Sequence, residues 1–194
     1  MHANDMLPVD GVLPDLKSAL AERGSAVLVA PPGAGKTTRV PAALLGEPWL
    51  GAAKILVLEP RRIAARAAAE HMARRLGERL GDTVGLRTRL ATSVGPGTRI
   101  EFVTEGIFTR LILDDPALTG IGAVIFDEFH ERSIDADFGL ALALDARSAF
   151  RPDLRLLVMS ATLDASPVGA LLGDASIIKS EGRAFPIDTR YLGR

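Results

Sequence analysis

The chain has 194 residues, of which 47% are hydrophobic and 24% charged, with no cysteine and three histidines. This is the make-up of an ordinary folded α/β domain, and it excludes wholesale disorder, a disulfide framework, a thiolate zinc site and a cysteine nucleophile. The formal net charge of −1 excludes a polycation that coats nucleic acid indiscriminately. No apolar run reaches the ~20 residues of a membrane span, and MHANDMLPVDGVLP has no basic segment leading into an apolar one. A cytoplasmic protein without membrane contact is therefore expected.

In chain order, residues 1–25 are expected to form a lead-in helix. Short apolar runs then recur: Ala26–Ala30 (AVLVA), Lys54–Leu58 (KILVL), Arg99–Val103 (RIEFV), Ala123–Phe126 (AVIF) and Leu154–Met159 (LRLLVM). Each has strand length, and most are almost continuously apolar, as strands are when a parallel sheet is covered on both faces. Between them lie helical spacings. Arg61–Leu80 sets Ala64, Ala68, Met72, Leu76 and Leu80 on one stripe, with Arg62, Arg66, Glu70 and Arg74 on another. Ser133–Phe150 aligns Ile134, Phe138 and Leu142, with Asp135 and Asp137 in the first turn where the helix dipole favours acids. Ala91–Arg99 (ATSVGPGTR) reads as a turn-rich connection. Alternating strands and helices predict a mainly parallel central sheet with helices on both faces.

The first chemical motif is Ala30–Thr38, APPGAGKTT, directly after a strand. A Gly-rich turn between strand and helix points successive N–H groups into one concavity, and the helix N-terminus adds a positive dipole end, so the turn suits phosphate. The strict pattern begins with Gly where this chain has Ala30. The core of Gly33, Ala34, Gly35, Lys36 and Thr37, followed by Thr38, is intact. Lys36 has the reach for β- and γ-phosphates, and the Thr37 hydroxyl suits Mg²⁺. The second motif is Ala123–Ser133, AVIFDEFHERS, whose strand ends in Asp127 at the edge where α/β sheets hold ligands. Asp127 suits a metal and Glu128 the activation of water. Alone, this acidic pair is equally a loop or a helix cap. About 90 residues after a phosphate loop, it points to an NTPase.

Charge is unevenly spread. Lys54–Arg110 holds 11 Lys and Arg against 6 Asp and Glu, whereas Leu111–Asp153 holds 3 against 9. Two surfaces with different partners, or simply two solvated faces, follow from such blocks.

Together these stretches resemble the DEAH-box (DExH) RNA helicases, and the form with Phe129 after Asp127-Glu128 is most similar to the bacterial HrpB-type members. Asp127–Ser133 resembles motif II, Gly33–Thr38 motif I, Leu58–Ala65 (LEPRRIAA) motif Ia, Thr104–Phe108 (TEGIF) motif Ib and Ser160–Asp164 (SATLD) motif III. Gly182–Pro186 (GRAFP) resembles the stretch that closes a first RecA-like domain.

The resemblance implies a P-loop NTPase fold, a RecA-like three-layer sandwich over residues 26–183, with 184–194 beginning a connection to a second RecA-like domain. It implies ATP and Mg²⁺ as cofactors, with single-stranded RNA and that second domain as partners. Lys36, Asp127, Glu128 and His130 would be catalytic, and Gly33, Ala34, Gly35, Lys36, Thr37 and Thr38 would bind nucleotide. Thr37 and Asp127 would hold the metal. Ser160, Ala161 and Thr162, with His130, would couple nucleotide state to strand movement. Pro60, Arg61, Arg62, Thr104 and Gly106, together with Arg89, would touch the RNA backbone. Basic residues at a helix N-terminus oppose its dipole, which favours a functional reason for Arg61 and Arg62.

The chain departs from the family pattern in three ways. His71 stands where some members stack an arginine on adenine, so other NTPs are also candidates. Phe129 replaces the usual Ala, as a core-filling side chain would. No residues for the second domain, which carries the arginine-finger motif, follow Arg194, so the 194 residues alone are expected to bind nucleotide weakly and to hydrolyse it poorly. Two other readings are open: a P-loop ATPase switch without helicase activity, and a non-catalytic RNA-binding scaffold. The RNA substrate, the unwinding polarity, DNA binding and the oligomeric state are not legible in the sequence.

Overall fold

The computed structural model describes residues 6–161 and 165–181. Eight strands form one sheet: β1 (Ser25–Val29), β2 (Lys54–Leu58), β3 (Val84–Arg87), β4 (Thr92–Ser93), β5 (Ile100–Val103), β6 (Ile121–Phe126), β7 (Arg155–Ser160) and β8 (Ser176–Lys179). Their order is β4-β3-β5-β2-β6-β7-β1-β8, and every pairing is parallel except β3 with β4.

Six helices connect them: α1 (Leu13–Arg23), α2 (Lys36–Leu44), α3 (Arg62–Leu76), α4 (Glu105–Asp114), α5 (Ile134–Ala149) and α6 (Ser166–Leu171). The continuous apolar strands follow from the two-residue period of the pleat. Leu28, Ile55, Val57, Phe102, Ile125 and Met159 face α1, α2 and α3, while Val27, Leu56, Leu58, Val124, Phe126 and Val158 face α4 and α5. Both clusters are buried, giving the expected three-layer architecture.

The lead-in segment belongs to this same core. Val9, Leu16 and Leu20 are fully buried. The 3₁₀ turn Pro8–Val12 docks on the first motif through Val9 N–H, which donates to Ala34 O at 3.1 Å.

Three features differ from the sequence expectations. The two helical stripes are rotated. In α3 the buried set is Ala65, Ala69, Met72 and Ala73, with Leu76 exposed. In α5 it is Ala136, Gly139, Leu140, Ala143 and Ala146, leaving Ile134 87% exposed and Phe138 48% exposed. Small residues win because the helices sit close to the sheet. A Cβ on Gly139, for example, would lie 3.6 Å from the Phe126 ring of β6 and 3.3 Å from the Phe108 ring of the neighbouring α4. Strands β3 and β8 carried too short an apolar signal to be predicted. The Ala91–Arg99 connection also contains β4, a two-residue edge hairpin partner of β3.

Candidate active site

Both chemical motifs sit at the C-terminal edge of the sheet, at the ends of β1 and β6, which flank β7. β1 runs into the phosphate loop, where Gly33 (φ 77°) and Gly35 (φ 92°) take left-handed backbone conformations that side chains resist. Gly35 caps α2, and a Cβ there would come within 2.5 Å of Leu7 Cδ1. The close approach of Leu7 thus gives Gly35 a second reason to be glycine. Lys36 is buried, its ammonium donating to the carbonyls of Ala30 (2.7 Å) and Pro31 (3.4 Å). A cleft of about 170 Å³ opens here, lined by Gly33, Ala34, Gly35, Lys36, Thr37, Thr38 and Glu128.

Asp127 follows β6 and is buried against that loop. Its carboxylate accepts the Thr37 hydroxyl at 2.5 Å and the Glu128 N–H at 2.8 Å. Burial, with Glu128 adding its own charge, pushes Asp127 up to about 6, against the opposing effects of the Thr37 bond and the Lys36 charge. Glu128 adopts φ 49°, a left-handed conformation that costs a non-glycine residue about 1–2 kcal/mol and turns its side chain out beside the cleft. Two hard oxygen donors beside a phosphate loop suit Mg²⁺, which takes one or two protein oxygens and fills its remaining positions with phosphate and water.

The segment 127–133 touches every other motif. His130 Nδ1 accepts the Ala161 N–H at 3.2 Å. Glu128 Oε2 lies 3.4 Å from that same nitrogen. Ser160 is buried at the end of β7, and its carbonyl accepts Ala30 N–H at 3.0 Å. This third motif therefore ties the start of the phosphate loop to His130. Glu131 forms an ion pair with Arg61. Ser133 caps α5, accepting Ala136 N–H at 2.8 Å while donating to Glu105 at 2.8 Å. Thr162 and Gly182–Pro186 lie outside the described residues.

Phe129 is buried, edge-on to Phe126 at 6.2 Å, which in turn is edge-on to Phe108 at 5.8 Å. It fills core beneath the acidic turn. Arg61 and Arg62 are exposed at the start of α3, preceded by the half-buried Pro60, and His71 is exposed farther along the helix. Thr104 and the exposed Gly106 begin α4 on the neighbouring strand end, and Arg89 is exposed beyond β3.

Glu59 escaped the sequence reading. It is only 3% exposed at the end of β2, and burial, reinforced by the Asp127 charge, pushes its carboxyl up to about 8. The signal was available: KILVLE ends in an acid as AVIFDE does. Glu105 and Glu131 were likewise read only as motif letters, not as partners of Ser133 and Arg61.

A family model described as DEAD/DEAH box helicase matches residues 15–170. The chain belongs to the DEAD/DEAH box helicase family. It is 53% identical over 186 residues to the ATP-dependent RNA helicase HrpB of Escherichia coli, covering 96% of this chain and 23% of that protein. It is 32% identical over 192 residues to the DExH-box ATP-dependent RNA helicase DExH6 of Arabidopsis thaliana, covering 96% of this chain and 15% of that protein. The crystal structure of the E. coli DEAH/RHA helicase HrpB superposes with a TM-score of 0.90 at 53% identity, over 96% of this chain and 24% of that one. A second crystal structure, of the E. coli DExH-box NTPase HrpB, also gives 0.90, at 52% identity over 99% of this chain and 24% of that one. The chain spans less than a quarter of the length of these helicases. Its sheet is the RecA-like sheet of the family. Among the described residues, no helix is long and apolar enough to cross a membrane.

Proposed function

We propose that residues 26–183 form the ATP-binding domain of an ATP-dependent RNA helicase, with residues 184–194 leading toward a second RecA-like domain. The observation that carries this reading is the Thr37–Asp127 hydrogen bond, which joins the phosphate loop to the acidic strand end across 90 residues. Gly33, Ala34, Gly35, Thr37 and Thr38 present backbone N–H groups to the nucleotide phosphates, and α2 adds its dipole. Lys36 leaves its two carbonyl partners for the β- and γ-phosphates. Thr37 and Asp127 would hold Mg²⁺, which would supply charge neutralisation at those phosphates. Glu128 accepts a proton from the attacking water as its oxygen bonds to the γ-phosphorus. The bond to the bridging oxygen breaks, releasing ADP and phosphate.

The cleft lining is phosphate-binding residues and Glu128, with His71 out on the surface of α3. Weak discrimination among bases follows, so NTPs other than ATP are also substrates. His130 and Ala161 would pass changes at Glu128 to Ser160 and Thr162. Pro60, Arg61, Arg62, Thr104, Gly106 and Arg89 line one edge of the sheet and suit RNA phosphates, which position a strand without reading its sequence. Arg61 must exchange Glu131 for phosphate. That costs little, because exposed ion pairs are worth about 0–1 kcal/mol.

The test is hydrolysis by the intact protein, with and without single-stranded RNA. Lys36→Ala should lose nucleotide binding. Glu128→Gln should bind nucleotide but hydrolyse it at least about 100-fold more slowly. Wild-type rates in both variants would overturn the reading. ATP hydrolysis with no salt-dependent RNA affinity would instead favour an ATPase switch.

A further inference from the structure

A second groove, of about 450 Å³, runs beside the proposed RNA edge and shares only Arg89 with the residues assigned above. It is lined by Arg87, Thr88, Arg89 and Thr92 from the β3–β4 hairpin and by one face of α4, namely Ile107, Arg110, Leu111 and Asp114. The face of β5 there carries Glu101, which is buried and held by Arg87 at 2.6 Å and by Lys54 at 3.7 Å. Counting those partners, four cations (Lys54, Arg87, Arg89 and Arg110) stand against two carboxylates (Glu101 and Asp114), and Asp114 is already drawn to Arg110 at 3.6 Å. The groove is therefore positive at the mouth, where Arg89 and Arg110 are exposed.

Register fixes where that mouth lies. Arg87 on β3 is paired with Val103 on β5, so Thr88 and Arg89 leave the sheet alongside Thr104. Arg110 lies on the helix that Thr104 starts, on the side turned to the hairpin. A strand whose phosphates rest on Thr104 and Gly106 meets Arg89 and Arg110 next. Guanidinium forks suit phosphate oxygens, and two exposed arginines next to Thr104 and Gly106 continue a line of backbone contacts.

We propose that this groove extends the single-stranded RNA track, with Arg110 as a phosphate-binding residue beside Arg89 and with Arg87 held in place by Glu101. The proposal rests on the RNA-helicase reading above, and its test separates the two. Arg110 is highly exposed, so Arg110→Ala and Arg110→Glu leave the fold intact, which a thermal melt checks. Binding of the intact protein to single-stranded oligouridylates of 4 to 14 nucleotides is measured by fluorescence anisotropy between 50 and 200 mM salt.

In Arg110→Glu, affinity should fall about tenfold for long oligomers and hardly at all for the shortest. In Arg110→Ala, the slope of log affinity against log salt should drop by about 0.7 for each phosphate no longer neutralised, so the wild-type advantage shrinks about 2.5-fold across that salt range. Arg110→Lys should restore the slope. Unchanged affinity, length dependence and slope in Arg110→Glu would overturn the proposal. If the wild-type protein binds no RNA, or if Arg61→Ala and Thr104→Ala leave binding untouched, the underlying helicase reading fails instead.

Discussion

Replacing Glu59 by Gln gives the sharpest test of the charge arrangement behind the acidic strand end. In the folded chain Glu59 holds its proton up to about pH 8, whereas its ordinary value is 4.5. Between those values the native state keeps a proton that the unfolded state has released. Stability therefore falls as pH rises, by about 1.4 kcal/mol per pH unit. This contribution is fully present below pH 4.5 and is lost as pH passes through 8. From pH 5 to pH 8 the loss sums to about 3.5 kcal/mol, and water entry on ionisation trims it to about 2–3 kcal/mol. The glutamine amide would keep the shape and the acceptor for the Arg61 N–H without the ionisation. Urea unfolding at pH 5, 6.5 and 8, with chelator present, should show the variant gaining about 2–3 kcal/mol on wild type between the first and last pH. A difference constant across that range would show that Glu59 ionises freely and that burial beside Asp127 is not what governs it.

Ser133→Ala removes the cap of α5 and leaves the half-buried Glu105 without its hydroxyl partner, so unfolding experiments should show a loss of about 1–2 kcal/mol. Gly35→Ala forces a Cβ onto Leu7 at a left-handed backbone position; nucleotide titration should show affinity reduced at least about tenfold, with most of the secondary structure retained by circular dichroism. The 194 residues alone should hydrolyse ATP slowly and respond little to RNA, since Lys36 is the one cation lining the phosphate cleft among the described residues. Robust RNA-stimulated turnover by this chain would contradict that. Leu28→Ala, fully buried on the strand between β7 and β8, should cost about 2–5 kcal/mol by urea unfolding.

Much of the site was legible in the chain itself because its chemistry is local. A strand end, two glycines with positive φ and a Lys-Thr helix start lie within nine residues, Ala30–Thr38. Asp127 and Glu128 sit at the end of an apolar run for the same reason. The alternation of buried strands and longer helical segments also followed from periodicity, which local sequence carries directly.

What local pattern could not carry was relative placement. Spacing by four put Ile134 and Phe138 on a core stripe, yet close approach to α4 and the sheet selected the stripe with Gly139, which lets Phe108 and Phe126 pack against it. Likewise the letters of motif II gave roles to Asp127 and Glu128. Only packing revealed that residues 127–133 bind Thr37, Arg61, Glu105 and Ala161. The ionisation of Glu59 belongs to the same class, since it depends on burial and on a carboxylate 68 residues away. Sequence alone determined which chemistry this chain could perform, because side-chain type and short spacing set it. The tertiary structure decided which charges meet, because burial and distance between remote segments fix the strength of every electrostatic interaction.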